Sequence, residues 1–258
     1  ERKIRIIGDM PYYVSYDSAD VWKNPGLFKL NAEKDPEYVG GVPPDYFSST
    51  GQLWGNPVFN WDKLKETGFR WWVDRFTQNF KFYDLVRIDH FRAFAAYWEI
   101  PAGEDTAVNG RWIEVPSEDF FDTMYKNFFN FPVIAEDLGT ITADVRELIS
   151  KYKFPGMKVL MFAFGGDPAK NPYIPHNQIK NCVLYTGTHD NNTLRGWFEE
   201  EVDEQHKQRI ETYLGRSIDS ENISKEFIRL AMMSVADIVI LPMQDILDLG
   251  AEARMNTP

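Results

Sequence analysis

The sequence predicts an α/β protein built on a parallel sheet. Three observations carry that expectation. Six short apolar stretches of strand length recur along the 258 residues, segments of helical period lie between most of them, and polar residues fall again and again at the carboxyl ends of the strands. A doubly wound sheet and a (β/α)8 barrel both fit this alternation. No G-x-G-x-x-G or Walker loop follows the first strand, which weakens a nucleotide-binding reading.

The elements follow in order. "IRIIGD" (4 to 9) reads as a strand, and the stretch from Met10 to about Asn60 is loop-rich, dense in Gly, Pro, Asn and Tyr. Phe69, Trp72, Val73, Phe76 and Phe80 then fall at i, i+3, i+4, i+7 and i+11, one face of an amphipathic helix. Residues 84 to 89 form the next strand, with Leu85, Val86 and Ile88 as its apolar members. Asn109-Gly110 marks a polar loop. A helix is expected from about Ser117, with that serine as N-cap, Glu118 and Asp119 in the first turn, and Phe121, Met124 and Phe128 inward. "FPVIAED" is a strand, followed by a helix with Val145, Leu148, Ile149 and Tyr152 on one face. "MKVLMFAF" and "CVLYTGTHD" are further strands, "FIRLAMMSV" is helical, and "DIVILPMQD" is the last strand.

Composition excludes several classes of function. Hydrophobic residues make up 43% of the chain, a globular composition. Asp plus Glu is 39 against 28 for Lys plus Arg, a net charge of −11 that repels phosphate backbones and anionic lipid, so neither nucleic acid nor a membrane is an expected partner. No apolar run approaches the roughly 20 residues of a membrane span. One cysteine, Cys182, excludes an internal disulfide and fits a reducing compartment. The aromatic content of 15% is high; core packing accounts for much of it, and an aromatic-lined groove for a neutral, hydroxyl-rich ligand would account for more. The chain opens inside a strand without Met and stops at "ARMNTP" with no closing element, as expected of part of a longer protein.

The polar strand ends are the functional signal. Asp9 ends "IRIIGD", Asp89 ends "DLVRID", Glu136 ends "PVIAE", His189-Asp190 follow "VLYTGT", and Gln244 and Asp245 follow "VILPM". A lone Asp at a strand end is most often a helix cap, and Asp137 and Asp144 are read as structural in that way. Asp9, Asp89, Glu136 and Asp190, four carboxylates at four strand ends, are harder to explain by capping. In a parallel barrel all strand carboxyl ends emerge on one face, where the active site lies. Two carboxyl groups in one cleft are the equipment of glycoside chemistry, one ionised and one holding a proton. Arg87 lies two residues before Asp89, so both side chains leave a strand on the same face, and its permanent charge would keep Asp89 ionised. No cation lies within four residues of Glu136, whose pKa burial would raise, as a general acid requires.

These residues resemble a known family. "RIDHFR" (87 to 92), "AEDLG" (135 to 139) and "TGTHDN" (186 to 191) look like the strand-4, strand-5 and strand-7 motifs of the 4-α-glucanotransferases, the amylomaltases or disproportionating enzymes of glycoside hydrolase family 77 in the α-amylase clan. "GDMPYYV" (8 to 14) resembles their strand-3 motif and "GGVPPDYFSSTGQLWGNPVFNW" (40 to 61) their substrate-loop region; "GMKVLMFAF" and "EARMNTP" fit as well. The resemblance implies a (β/α)8 barrel of which residues 1–258 carry strands 3 to 8 of one catalytic domain, with the loop-rich insertion at about 10–60 and strands 1 and 2 missing. It implies Asp89 as nucleophile, Glu136 as general acid/base and Asp190 as the third carboxylate. Arg87 would orient Asp89; Asp9, His189 and Asn256 would contact sugar hydroxyls; Tyr46, Phe47 and Trp54 would stack on the glucan and shield the site. His90 either contacts sugar or braces the loop.

The implied reaction is transfer of an α-1,4-glucan segment to the 4-hydroxyl of another glucan or glucose, by retaining double displacement. The implied partners are α-1,4-glucans and maltooligosaccharides, together with the missing N-terminal part of the same protein. No cofactor and no metal is implied, and the expected location is the cytoplasm, or a plastid in a plant or alga. Three rivals remain: an α-glucan hydrolase of the same clan, an inactive glucan-binding fragment, and a metal-dependent hydrolase using His90, His189 and the aspartates as ligands. The last is disfavoured because none of the four histidines has H-x-H or H-x-x-x-H spacing.

Overall fold

The computed structural model describes residues 3–45, 48–139 and 141–256, which form two compact units, residues 1–154 and 155–258. The aromatics Tyr46 and Phe47, expected in the substrate loop, lie outside the described residues.

Three parallel strands organise the first unit. Strand β1 (Ile7–Pro11) leads to helix α1 (Ala19–Lys23) and then to two strands, β2 (Tyr38–Val42) and β3 (Gln52–Pro57). Helices α2 (Trp61–Glu66) and α3 (Arg70–Phe82) precede β4 (Leu85–Asp89). Strands β5 (Ala96–Pro101) and β6 (Arg111–Glu114), helix α4 (Ser117–Asn127), β7 (Val133–Ala135) and helix α5 (Ala143–Tyr152) complete the unit. β4 pairs in parallel with β1 on one side and β7 on the other. Gly8 lets β1 in: a Cβ there would fall inside the ring of Tyr83, just before β4.

The aromatic residues of this unit mostly build its core rather than a groove. Trp61 and Trp72 stack with centroids 6.4 Å apart, Phe94 and Phe120 stack at 4.8 Å, and Phe76 meets Phe131 edge-on at 4.7 Å. The Trp61 indole N–H donates to the Tyr12 hydroxyl at 3.2 Å, so the polar edge is satisfied inside.

The loop-rich reading of residues 10 to 60 needs correction. β2 and β3 join β5 and β6 in an antiparallel sheet of order β3-β2-β5-β6. Glycines at 40 and 41 and prolines nearby mask the strand pattern, yet both glycines are needed: a Cβ on Gly40 would meet the Tyr13 ring, and one on Gly41 the backbone of Gln52. Within this sheet Glu99 of β5 is fully buried, held by Lys29, by Arg111 at 2.9 Å and by the Tyr97 hydroxyl at 3.2 Å.

The second unit repeats the pattern with β8 (Gly156–Val159), β9 (Cys182–Tyr185) and β10 (Ile238–Ile240), β9 pairing in parallel with each of the others. The unit also holds helices α6 (Leu194–Glu200), α7 (Glu204–Leu214), α8 (Ile223–Met232) and α9 (Met243–Ile246), with α8 in contact with α6 and α9. The alternation of strand and helix expected from the sequence is present in both units.

Several boundaries differ. The first strand begins at Ile7, not Ile4, and the expected strand 157–164 ends at Val159, where the chain turns into a 3-10 segment. Ser117 is not the cap of α4: Pro116 occupies that position, and the serine hydroxyl instead donates to the carbonyls of Phe94 (2.7 Å) and Val115 (3.0 Å). α6 and α7 were not expected, because α7 is largely polar and buries only Ile210. No helix among the described residues is long and apolar enough to cross a membrane.

Candidate active site

Strand register assembles the site in the first unit. Asp9 of β1 is level with Arg87 of β4, and Pro11 with Asp89. Arg87 is level with Ile134, Ile88 with Ala135, and one residue on, the Glu136 N–H donates to the Ile88 carbonyl at 3.1 Å. Asp89 and Glu136 therefore stand at the carboxyl ends of paired strands, where open polar ends meet an apolar interior.

Arg87 is the pivot. Its side chain is 9% exposed and lies between Asp9 and Asp89, which are each about half exposed. Nη1 reaches both oxygens of Asp9 at 2.7 Å and Nη2 reaches Asp89 Oδ1 at 2.7 Å. Burial pulls the guanidinium's pKa down, but the carboxylates of Asp9, Asp89 and Glu136 outweigh it and the net direction is up. A permanent cation donating to Asp89 at this distance favours its charged form and fixes its direction.

Glu136 is the opposite case. Its pKa rises from 4.5 to about 7, first through burial and further through the nearby Asp89 charge. Acting against that rise are the Leu138 N–H, which donates to Oε1 at 2.8 Å, the Arg87 charge, and the His90 N–H, which donates to Oε2 at 2.8 Å. Two carboxyl groups on neighbouring strand ends are thus driven apart, one anchored to a cation and the other able to hold a proton near neutrality.

His90 follows β4 in the left-handed conformation, φ 53° and ψ 46°. Its ring lies edge-on to Trp54 of β3 at 4.7 Å and stacks over Tyr13 at 6.2 Å. Burial, helped by Arg92, lowers its pKa to about 3, so the imidazole is neutral. Trp54 is 37% exposed and its indole donates to Gln52 at 3.0 Å.

In the second unit the structure brings together His189, Asp190 and Asn256. Asn256 donates to Asp190 Oδ1 at 2.8 Å, and His189 Nε2 lies 3.4 Å from Oδ2. Arg254, which the sequence reading did not single out, donates to the Asp190 carbonyl at 2.8 Å and to the Asn256 carbonyl at 2.8 Å. It lies inside the quoted motif "EARMNTP", so the signal was present. A cavity of about 200 Å³ beside these residues is lined by Thr188, His189, Gln244 and Arg254 among others. Asp245 belongs to the structural class. It is 2% exposed, accepts from Thr186 Oγ1 at 2.6 Å and from the Leu194 N–H at 2.8 Å, and so holds the first residue of α6, whose N-cap is Thr193. Among the described residues no group of three or more His, Cys, Asp or Glu could hold a metal ion.

A profile of the family described as 4-alpha-glucanotransferase matches residues 1–258. The chain belongs to that family. It is 52% identical over 258 residues to a 4-alpha-glucanotransferase of Aquifex aeolicus, covering 100% of this chain and 53% of that protein. It is 49% identical over 255 residues to the chloroplastic/amyloplastic 4-alpha-glucanotransferase of Solanum tuberosum, covering 99% of this chain and 44% of that one. The structure superposes on the amylomaltase of Streptococcus agalactiae, solved with acarbose, with a TM-score of 0.93 at 45% identity, over 99% of this chain and 51% of that one. The fold is therefore the α/β barrel of that family, of which this chain carries six parallel strands, and the doubly wound alternative falls away. The chain spans about half the length of the relatives it matches.

Proposed function

We propose that the protein containing this chain is a 4-α-glucanotransferase that works by retaining double displacement. The observation that carries the reading is the pair of unlike carboxyl groups, Asp89 anchored by Arg87 at 2.7 Å and Glu136 with its pKa raised to about 7. Asp89 attacks the anomeric carbon of an α-1,4-glucan. Glu136 protonates the departing oxygen and, now ionised, takes the proton of an incoming sugar 4-hydroxyl as the glucosyl-enzyme is resolved. A pKa near the working pH suits a group that must be acid in one half-reaction and base in the other.

The further roles follow the family motifs. Asp190, supported by Asn256 and His189, is the third carboxylate that holds the distorted sugar. Asp9 contacts sugar hydroxyls, and Trp54 with Tyr46 and Phe47 stacks on the glucan and keeps water from the intermediate. The acarbose on the related amylomaltase supports an oligosaccharide of glucose type as ligand. Residues 1–258 are taken as part of one catalytic domain acting in the cytoplasm, or in a plastid as the name of the Solanum relative suggests.

Product analysis with maltotriose tests the reading in the full-length protein. Transfer gives glucose together with oligomers longer than the donor, and Asp89→Asn or Glu136→Gln abolishes both. Products no longer than the donor would point to the hydrolase, and activity surviving both substitutions would refute the assignment of the two carboxyl groups.

A further inference from the structure

We infer that His90 is a positioning residue: its left-handed backbone, at the end of β4, aims the N–H that holds Glu136 in place. The inference rests on the acid/base reading of Glu136. Three observations support it. β4 ends at Asp89, and the very next residue turns to φ 53° and ψ 46°, a region non-glycine residues seldom occupy. That turn directs the His90 N–H to Glu136 Oε2 at 2.8 Å, across to the neighbouring strand. The ring is boxed by Trp54 at 4.7 Å and Tyr13 at 6.2 Å, and Nε2 is buried with no hydrogen-bond partner among the described residues.

A buried ring nitrogen without a partner is unfavourable, and so is a left-handed backbone with a Cβ. Both are concentrated in the residue whose N–H reaches from the end of β4 to the Glu136 carboxyl group. Such strain persists where the surroundings over-determine the conformation, and here they fix an N–H donor.

The groups facing Glu136 are Asp89 and Arg87 of β4 and the N–H donors of Leu138 and His90; the charge that acts on the His90 ring is Arg92. Only the His90 donor depends on a positive φ at position 90. Losing it removes a bond that favours the ionised carboxylate, so the proton is held to higher pH.

The test is the basic limb of the pH profile of transfer from maltotriose, measured on the full-length protein carrying His90→Gly, His90→Asn, His90→Ala or His90→Val. Glycine and asparagine accept the left-handed region, alanine resists it, and valine resists it most. The expected result is a limb near the wild-type position for glycine and asparagine, and one moved upward for alanine and valine, by roughly half a pH unit or more for valine. Alanine keeps the proposal testable if valine prevents folding. A limb that moves alike in all four variants, stays fixed in all four, or sorts in any other order overturns the positioning role. A limb that survives Glu136→Gln overturns the acid/base reading beneath it, and the positioning role with it.

Discussion

Replacing Glu136 by Gln should flatten the pH dependence of stability, and the size of the effect follows from the structure. Unfolded, the carboxyl titrates near its ordinary 4.5; folded, it titrates at about 7. Between those values the folded state keeps a proton that the unfolded state releases, so stability falls as pH rises through the interval and levels off above it. At about 1.36 kcal/mol per pH unit, the folded wild type loses about 3 kcal/mol from this group between pH 4.5 and 7. Glutamine does not titrate and should lose none of it. The substitution has its own offset, because the carboxamide can accept from only one of the His90 and Leu138 N–H groups. That leaves one buried donor unmet, at about 1–3 kcal/mol, independent of pH. The informative quantity is therefore the difference between the two stability curves across pH, not its value at one pH. Urea denaturation of both full-length proteins from pH 4 to 8.5 measures it. The curves should converge or cross as pH rises. Parallel curves would show that burial does not hold the Glu136 proton, and the division of labour between the two carboxyl groups would lose its basis.

Arg87→Lys should lower kcat for transfer by about 100-fold, because one ammonium cannot reproduce the fork that spans Asp9 and Asp89, and initial rates on maltotriose check it. Gly8→Ala should lower stability by about 1–3 kcal/mol, since its Cβ meets the Tyr83 ring between two paired strands; an unchanged melting temperature would contradict that packing. Asp245→Ala should cost about 2–4 kcal/mol through the unmet Leu194 N–H and Thr186 hydroxyl, read as a drop in urea midpoint. Asn256→Ala frees one oxygen of Asp190 and should reduce transfer by roughly 10-fold, without altering the fold as judged by far-UV circular dichroism.

The parallel strands were legible because each lies in a short apolar run, and the two that carry Asp89 and Glu136 lead directly into a carboxyl group. Leu85 to Asp89 and Val133 to Glu136 needed no partner to be recognised, and the helix bearing Trp72 and Phe76 declared itself by period. The antiparallel sheet was not legible. Tyr38–Val42 carries two glycines, and Gln52–Pro57 is exposed along most of its length, so neither shows the alternation that marks a strand. Their pairing is visible only once the chain has folded. The Ser117 cap failed for a related reason: the residue type was right, but the fold offered its hydroxyl the Phe94 carbonyl instead.

The sequence by itself picked out the polar residues at the strand ends and the order in which they come. Arg87 and Asp89 share a strand face by spacing alone, and the absence of a cation near Glu136 in the chain already pointed to a raised pKa. Tertiary structure decided how those groups are held. Residues distant in the chain bring Asp9 to the other arm of Arg87 and the His90 N–H to Glu136, beside the local Leu138 N–H. It also decided where the aromatics go, sending most of those in the first unit to the core and leaving Trp54 at the site. The physical reason is that a side chain's identity is local, whereas desolvation and hydrogen-bond direction depend on what long-range packing places beside it.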